Sequence, residues 1–505
     1  MSKEKIITLD EISALLAAPE FVGKKIIHCH GTFDLMHAGH IRHLQKAKSL
    51  GDVLVVTVTS DRYVRKGPGR PVFSQQLRAE YLSALAAVDY VCISDYETAN
   101  AAIESVKPSL YVKGSDYVDE SKDVTGNISK EIDAVRQFGG DVYFTDEITF
   151  SSTKLLNEHF DVFSLETREF LNSFKEKCNL SDFLNNIKRL KSLNVLVIGD
   201  AILDEYHYVS VLGQTGKGNT LAVKYGSEEQ FLGGSIAVAK HVAGFAGNVT
   251  LLAALGNEAG TAEKIQHKLP ENITTKFVHY KSAQTLLKRR FVDQEMQRLF
   301  EVYYGGEESD RELLDAELNT WITAHAAEFD VVIVPDFGNG MISKSVAETI
   351  SKESKFLAVN TQINSGNRGY HVITRYPHAD FLCLNEPEAR LAAHDKQSAI
   401  EEIAEELRTR LNGKSIAITR GVKGALLVDK DAAWSVPALS SKVIDRVGAG
   451  DAFLSVAALA AFAEFSPEEV ILAGSIAAAL DVQIVCNRES VDPVLFAKYA
   501  TTLLK

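Results

Sequence analysis

The feature that most constrains this chain is an alternation of short apolar strand patterns with helical patterns, beginning near residue 25 and continuing to residue 144. Residues 53–58 are apolar and largely β-branched without polar alternation, which is the pattern of a strand buried on both faces. Helical patterns over residues 38–49 and 75–87 lie on either side of it. Strands that alternate with helices form parallel sheets covered on both faces. The sequence therefore predicts an α/β fold with a doubly wound parallel sheet.

The alternation stops between residues 161 and 190, where the sequence is charged and helical with little strand character. A second series of strand and helix patterns starts at residues 194–198 and runs nearly to residue 505. No short internal repeat is visible in either series. A chain of 505 residues is long enough for two to four domains. We predict two different doubly wound domains, at residues 1–160 and 191–505, joined by a helical connector at 161–190.

The composition of the chain restricts the kinds of molecule with which it can interact. The formal net charge is −13, which argues against nucleic acid, because binding a phosphate backbone requires a basic surface. The five cysteines form no CxxC pair, so we expect reduced thiols in a reducing compartment. No secretion signal is visible, and no apolar run reaches the roughly 18 residues that span a bilayer. We expect a cytoplasmic protein that acts on small molecules without a membrane partner.

The first chemical motif, GTFDLMHAGH at residues 31–40, follows a strand pattern and leads into a helix. Free N–H groups at a helix start attract anions, and His37 and His40, three residues apart, share one helical face. Two imidazoles at such a turn suit a nucleoside triphosphate and the charge on the leaving pyrophosphate. We predict that His37 and His40 are catalytic. We predict nucleotide binding by Gly31, Thr32, Phe33, Asp34 and Gly39.

The same segment has a second interpretation, because His28, His30, His37, His40 and His43 fall within 16 residues. Clustered imidazoles are also typical of transition-metal sites. The Gly-Thr-Phe-Asp prefix after a strand favours nucleotide binding, so we predict no metal site built by the protein alone. Under this interpretation His28, His30 and His43 are structural or accessory.

Residues 31–40 resemble the signature of the cytidylyltransferase-like nucleotidyltransferase superfamily, in which HxGH marks the triphosphate site. Later segments match in order over about residues 22–160. RPVFSQQLRAEYLSAL resembles the family's R-x-E-x-L helix, KGSDY its turn after a later strand, and FSST its late serine-threonine motif. The resemblance implies that the nucleotide and its phosphates contact Lys66, Arg78, Lys113, Gly114, Asp116, Ser151, Ser152 and Thr153.

The second motif, DRVGAGDAF at residues 445–453, precedes a strongly apolar helical run. Gly448, Ala449 and Gly450 leave bare amides at a helix start, where they can neutralise charge on a transferring phosphoryl group. Asp451 stands where a carboxylate accepts the proton of an attacking hydroxyl. Glycine-rich helix starts also occur as purely structural turns, so the motif alone leaves both interpretations open.

Residues 192–505 resemble the ribokinase-like PfkB family of sugar kinases, in which Asp451 falls on the catalytic base. The resemblance implies a sugar site at Asp204, Gly233 and Gly234. It implies an ATP and anion site at Asn385, Glu388, Thr419, Arg420, Gly421, Gly424, Gly448, Ala449 and Gly450. It also implies ATP with Mg²⁺, and a small β lid through which related kinases often dimerise.

Three departures from the family pattern lie near the implied sugar site. Ala237 stands where an asparagine is usual, Val447 where a threonine is usual, and residues 360–362 read Asn-Thr-Gln where related heptose kinases have Asp-Pro-Lys. They leave two hypotheses. The second half is an active kinase with an altered sugar, or it is a catalytically weak kinase-like domain that binds sugar or mediates dimerisation.

The two halves together resemble the bifunctional heptose-7-phosphate kinase/heptose-1-phosphate adenylyltransferase family, with the domain order reversed. That resemblance implies a precursor of lipopolysaccharide or of another cell-surface glycan. We expect the C-terminal half to phosphorylate a sugar or sugar phosphate with ATP. We expect the N-terminal half to transfer AMP or CMP from ATP or CTP to a sugar 1-phosphate. Both reactions are expected to use Mg²⁺, held largely by nucleotide oxygens.

Overall fold

The computed structural model describes residues 5–64, 70–114, 127–145, 164–216, 218–305, 311–364, 366–440 and 443–504. Contacts divide the chain into two compact units. The first holds the residues up to Leu165 together with Ala497–Lys505, and the second holds Glu166–Phe496. No helix among the described residues is both long enough and apolar enough to cross a bilayer.

The first unit contains a five-stranded parallel sheet with the strand order β3-β2-β1-β4-β5. Its strands are β1 (Ile26–Gly31), β2 (Val53–Thr59), β3 (Tyr90–Ser94), β4 (Leu110–Gly114) and β5 (Asp141–Thr145). The described helices are α1 (Leu9–Leu16), α2 (Ala38–Lys48), α3 (Gln75–Ser83), α4 (Asn100–Val106) and α5 (Asn127–Gln137). The chain order reverses between β1 and β4. The carboxyl ends of these two strands therefore border the crevice in which doubly wound sheets bind ligands.

Burial of β2 on both faces explains why this sheet is covered on two sides. Leu54 and Val56 pack into one apolar cluster, whereas Val53 and Val55 pack into another. All four side chains are 5% exposed or less. The predicted doubly wound parallel sheet is confirmed. The helix predicted over residues 75–87 ends earlier, at Ser83.

The second unit contains a larger, mixed set of strands. They are β6 (Asn194–Gln214), β7 (Leu221–Gly234), β8 (Asn248–Leu255), β9 (Ile273–His279), β10 (Leu286–Val292), β11 (Arg298–Tyr304), β12 (Val331–Asp336), β13 (Leu357–Thr361), β14 (Phe381–Asn385), β15 (Ser415–Thr419), β16 (Ala425–Asp429) and β17 (Ala433–Val436). The described helices from Leu165 onward are α6 (Leu165–Lys177), α7 (Leu180–Arg189), α8 (Ser235–Phe245), α9 (Thr261–Gln266), α10 (Arg311–His325), α11 (Lys344–Glu353), α12 (Glu386–Ala393), α13 (Ile400–Arg410), α14 (Ala449–Phe462), α15 (Pro467–Asp481) and α16 (Pro493–Leu504).

Strand β6 organises the second unit because it belongs to two sheets. Residues 194–200 pair with β8, and β12 runs along their other side, inside the sheet β9-β8-β6-β12-β13-β14-β15-β16-β17. Residues 201–214 pair with β7, and 202–208 also with β10, to form the lid sheet β11-β10-β6-β7. The apolar run predicted a strand over residues 194–198 only. The strand continues because the following residues include the alternating pattern of a half-buried strand. The implied β lid is present.

The segment interpreted as a connector, residues 161–190, is helical where it is described. Phe183 on α7 is fully buried. Its ring centroid lies 6.0 Å from that of Phe174 and 6.3 Å from that of Phe496. These three aromatic side chains form part of the second unit, so α7 packs against that unit instead of acting as a passive linker.

Replacing Phe183 with alanine tests this attachment. We expect the Phe183→Ala variant to lose about 3–5 kcal/mol of stability, because a fully buried aromatic ring leaves a cavity when it is removed. Scanning calorimetry of the full chain measures the loss. Leu313→Ala is the control, because this side chain is 53% exposed and its truncation should change little. Equal stability of both variants would contradict the packing described here.

Candidate active sites

The first candidate site is the turn between β1 and α2. His37 is the N-cap of α2, and its Nδ1 accepts a hydrogen bond from the Gly39 N–H at 3.1 Å. Because Nδ1 is the acceptor, the neutral ring carries its proton on Nε2 and can donate it to an anion. Burial lowers the pKa of His37, which keeps the ring neutral near pH 7. The Gly39 amide, predicted to bind nucleotide, is occupied by this cap.

The two histidines of the motif form a stacked pair. The ring centroids of His37 and His40 are 4.0 Å apart and the ring planes differ by 25°. Phe33 meets His40 edge-on at 5.5 Å, from a left-handed backbone with φ of 50° that non-glycine residues rarely adopt. Gly31 ends β1 and the buried Thr32 follows it. The structure thus brings the predicted turn and both histidines together.

The Asp34 carboxylate is hydrogen-bonded to the segment that follows β2. One carboxylate oxygen accepts the N–H groups of Val72 and Phe73 at 2.8 and 3.0 Å. The other accepts Nη1 of Arg70 at 3.0 Å, and both side chains are buried. Its carboxylate therefore anchors residues 70–73 beside the turn, and its contact with the nucleotide stays a prediction.

The Arg78 guanidinium is hydrogen-bonded to the protein in this structure, and its predicted phosphate contact stays a prediction. The residue is 0% exposed, although we predicted a phosphate contact. Its guanidinium donates to the carbonyls of Phe73, Thr32 and Thr59 at 3.0, 2.6 and 2.9 Å. It also pairs with Asp61 at 2.6 Å. These contacts use all three nitrogens, so Arg78 holds the turn in place from behind.

Lys113 and Gly114 end β4, next to β1 at the reversal of strand order. The Lys113 ammonium forms a buried ion pair with Glu131 at 2.7 Å, and Glu131 also accepts the Tyr111 hydroxyl at 3.1 Å. Its charge is therefore offset by Glu131 in this structure, and its phosphate contact stays a prediction. The predicted residues Lys66, Asp116, Ser151, Ser152 and Thr153 lie outside the described residues.

The three histidines that flank the first motif, His28, His30 and His43, each contact a threonine hydroxyl. His28 and His30 both contact the Thr57 hydroxyl at 2.8 Å, whereas His43 contacts Thr145 at 2.9 Å. Across the described ranges, no group of three or more His, Cys, Asp or Glu side chains has an arrangement that could hold a metal ion.

The second candidate site begins at Gly448, the N-cap of α14. Its φ of 99° favours glycine. A Cβ at this position would lie 2.7 Å from Asn487 Oδ1 and 2.8 Å from Asp481 Oδ2, so no side chain fits. Ala449 and Gly450 open the helix directly afterwards. The predicted glycine-rich helix start is therefore a left-handed turn at Gly448, and the first amides of α14 follow it directly.

Asp451 lies in the first turn of α14 and is 6% exposed. Its Oδ1 accepts Nε2 of Gln362 at 2.8 Å. Burial, followed by the nearby charges of Asp204 and Glu388, raises the pKa of Asp451 to about 7. A carboxylate with this pKa can take up a proton near neutral pH, as a general base must.

The predicted sugar residues meet in the lid. A Cβ at Gly233 would collide with Asp204 Oδ2, which explains the glycine at this position; Gly234 follows it at the N-cap of α8. Asp204 forms a buried ion pair with Arg290, and its register partner on β10 is Lys288.

Sequence reasoning missed Lys288 and Arg290. Lys288 is 8% exposed, with its ammonium 5.3 Å from the ring centroid of Tyr303 and 6.0 Å from that of Phe337. Both cations lie on the buried face of β10, between Leu286 and Val292. The sequence signal that could have revealed them is the alternation itself: two basic residues occupy inward positions of a strand whose other inward positions are apolar.

The predicted ATP residues line the carboxyl ends of two neighbouring strands. Asn385 of β14 is the register partner of Thr419 of β15. Asn385 and Glu388 form a capping box at α12, with hydrogen bonds of 2.9 and 2.8 Å, and burial raises the pKa of Glu388 to about 7. Arg420 pairs with Glu386 at 3.4 Å, and the turn after it contains Gly421 and Gly424.

The departures from the family pattern have local partners. Asn360 donates to the Cys383 carbonyl at 2.7 Å, and Gln362 holds Asp451. Ala237 is buried in α8, and Val447 packs against the cluster that contains Tyr206. Of these residues, only Gln362 directly contacts the predicted base in the described structure.

Two family profiles match the chain. The profile "pfkB family carbohydrate kinase" matches residues 192–490, and the profile "Cytidylyltransferase-like" matches residues 28–158. Both resemblances predicted from the motifs are confirmed, in the predicted order.

Relatives with known names match a smaller part of the chain. The "Bifunctional protein HldE" of Geobacter metallireducens is 43% identical over 154 residues, which is 30% of this chain and 30% of that protein. The protein of the same name from Wolinella succinogenes is 43% identical over 142 residues, 28% of this chain and 30% of that protein. The chain thus matches less than a third of the length of these relatives. Among solved structures, a ribokinase from Thermotoga maritima is 22% identical, with a TM-score of 0.48, covering 60% of this chain and 98% of that chain.

The raised pKa of Asp451 predicts a pH-dependent stability difference. A carboxyl whose folded pKa lies above its unfolded pKa destabilises the fold once it ionises. The free energy of unfolding of the wild type, measured relative to that of Asp451→Asn, should therefore fall by on the order of 3 kcal/mol as the pH rises from about 4 to about 7. Above that pH the difference should level off. Thermal unfolding at several pH values measures this. Asp431→Asn, at an exposed turn, should show no such trend, and a flat difference for Asp451→Asn would contradict the prediction.

Proposed function

The chain belongs to the pfkB family of carbohydrate kinases, and we propose that it is a bifunctional enzyme of sugar-nucleotide synthesis. The second unit phosphorylates a sugar phosphate with ATP. The first unit transfers a nucleotidyl group to a sugar 1-phosphate and releases pyrophosphate. One observation carries the proposal: a histidine-capped helix start and a glycine-capped helix start with a buried aspartate occur in one chain. The cytidylyltransferase-like match and the HldE relatives support the first half.

In the kinase half, Asp451 accepts the proton of the attacking sugar hydroxyl. The hydroxyl oxygen then forms a bond to the γ-phosphorus of ATP, while the bond from that phosphorus to the β,γ-bridging oxygen breaks. Amides at the start of α14, from Ala449 onward, stabilise the negative charge on the transferring group. The products are ADP and a sugar with one additional phosphate.

Lys288 and Arg290 favour an acceptor that already carries an anionic group. Arg290 is matched by Asp204, but Lys288 adds a second positive charge on the same buried face of the lid. Burial lowers the pKa of Lys288, so an anionic ligand next to it would stabilise its charged form. A sugar phosphate fits this arrangement better than a neutral sugar, and a heptose 7-phosphate is the candidate that the family resemblance of the sequence implies.

In the transferase half, His37 donates from Nε2 and His40 is held against it. The sugar phosphate oxygen attacks the α-phosphorus of the nucleotide, and the bond to pyrophosphate breaks. The imidazoles and the start of α2 stabilise the charge that develops on pyrophosphate. We propose ATP as the nucleotide, with CTP as the alternative, and a cell-surface glycan precursor as the product.

Mg²⁺ fits both reactions without a dedicated protein cage. Glu388, which the family resemblance places in the ATP and anion site, already accepts two backbone N–H groups, at 2.8 and 3.3 Å. Nucleotide oxygens would therefore hold most of the ion, with Glu388 contributing charge nearby. When bound, Mg²⁺ neutralises charge on the phosphates.

A second candidate function rests on Gln362. Its amide occupies one oxygen of Asp451, which limits the oxygens open to a sugar hydroxyl. If this contact persists with substrates bound, the second unit is a weak kinase that binds sugar and supports the transferase. Sugar binding without ATP-dependent phosphorylation would favour this alternative.

The proposal is tested by pyrophosphate release from ATP and from CTP, measured separately with a panel of sugar 1-phosphates that includes heptoses. We expect release with one nucleotide, a loss of about 100-fold or more in His40→Ala because charge stabilisation is removed, and little change in Asp451→Ala. Phosphorylation of the sugar should show the reverse pattern. Loss of release in Asp451→Ala with intact folding would contradict two separate sites. No binding of either nucleotide to the first unit would contradict the transferase assignment.

The lid sheet is also proposed to pair with that of a second copy. Its exposed apolar side chains include Leu212, Tyr225, Phe300 and Tyr303, between 42% and 67% exposed. Light scattering should give twice the 55.3 kDa of one chain for the wild type and a single chain for Leu212→Glu/Tyr225→Glu. Leu313→Glu, at an exposed site outside the lid, should remain dimeric. A monomeric wild type would contradict this assembly.

A further inference from the structure

The first candidate site contains a buried arginine that sequence reasoning passed over. The Arg70 side chain is 2% exposed, and its Nη1 donates to Asp34 at 3.0 Å. Its Nε and Nη2 are buried and meet no hydrogen-bond acceptor in the described part of the chain. Buried donors of this kind are rare in folded proteins, and each calls for a physical reason.

The two nitrogens without acceptors form one edge of the guanidinium. Nε–H and Nη2–H point in parallel from that edge, at a spacing that matches two oxygens of a phosphate or carboxylate. Asp34 holds the opposite part of the group, and Val72 and Phe73 hold Asp34 in turn. The open edge therefore belongs to a guanidinium whose position is already fixed.

Comparison with Arg78 shows that the open edge is specific to Arg70. Both arginines lie in the segment that follows β2, and both are buried. Arg78 directs Nε, Nη1 and Nη2 to carbonyl and carboxylate oxygens of the protein. Only Arg70 of this pair keeps a two-donor edge for a ligand. Asp34, its anchor, lies one residue from Phe33, whose ring touches His40.

We propose that Arg70 binds a substrate phosphate in the first unit through its Nε and Nη2 edge. The inference rests on the proposed nucleotidyltransferase function, in which both the nucleotide and the sugar 1-phosphate present phosphate oxygens. Arg70 is then the main phosphate-binding arginine of this site, and Arg78 supports the turn.

Calorimetric binding to the full chain tests the inference with two probes, inorganic pyrophosphate and a heptose 1-phosphate. Arg70→Lys keeps the charge and can still pair with Asp34, but it loses the two-donor edge. We expect the affinity of Arg70→Lys for one of the two probes to fall by about tenfold or more, while its melting temperature stays near that of the wild type. Loss of pyrophosphate binding places Arg70 on the nucleotide side, and loss of the heptose phosphate places it on the acceptor side. Arg136→Lys, an exposed site on α5, is the matched control and should bind both probes normally.

The remaining outcomes distinguish failure of the inference about Arg70 from failure of the nucleotidyltransferase proposal. Unchanged binding of both probes by Arg70→Lys overturns the role of Arg70 and leaves the nucleotidyltransferase proposal intact. Failure of the wild type to bind either probe contradicts the nucleotidyltransferase proposal, and the inference falls with it. A lower melting temperature with unchanged affinities would assign Arg70 a structural role only. Recovery of binding in Arg70→Ala by added ethylguanidinium would support a direct contact.

Discussion

Both candidate active sites depend on the backbone N–H groups at the start of a helix. The helix is α2 in the first unit and α14 in the second. The chain carries a net charge of −13, so an incoming triphosphate would meet repulsion over much of the surface. Helix starts provide positive potential without adding side-chain charge. The two helix starts have different N-caps. His37 caps α2 with its ring, whereas Gly448 caps α14 with a left-handed turn that no side chain can share.

The second site combines this positive potential with an excess of buried carboxylates. Burial, followed by the charges of Asp204 and Glu388, raises the pKa of Asp451. Asp481 has no hydrogen-bond partner for either carboxylate oxygen in the described structure. Burial next to Asp451 and Asp445 raises the pKa of Asp481 well above its usual range. Such a cluster costs stability in the folded chain, and cations carried in by a nucleotide complex would relieve it. Sites that bind charged substrates commonly show this kind of perturbed titration.

The sequence was sufficient for the architecture because its strongest signals are local. Unbroken apolar runs such as 53–58 predict parallel strands, and the two glycine-containing turns mark where each site begins. These local signals were insufficient where the role of a side chain depends on contacts with residues far away in the sequence. Arg78 matched a family motif, yet the structure uses its donors internally, while Arg70 was not singled out. The length of β6 was also missed, because only pairing with β7 and β10 reveals that residues 201–214 continue the strand. Lys288 became visible only through its register with Asp204.

The central claim is that one chain carries out two separate phosphate-transfer reactions, and ³¹P nuclear magnetic resonance follows both in one sample. The sample contains the purified chain, Mg²⁺, ATP and a heptose 7-phosphate, and a phosphatase that removes the 7-phosphate is added later. The account predicts ADP and a heptose bisphosphate before the phosphatase is added. It predicts a nucleotide-linked heptose and pyrophosphate afterwards, with CTP supplied in a parallel sample. A sample that forms no heptose bisphosphate, and that forms no pyrophosphate from either nucleotide when heptose 1-phosphate is supplied directly, would contradict the account.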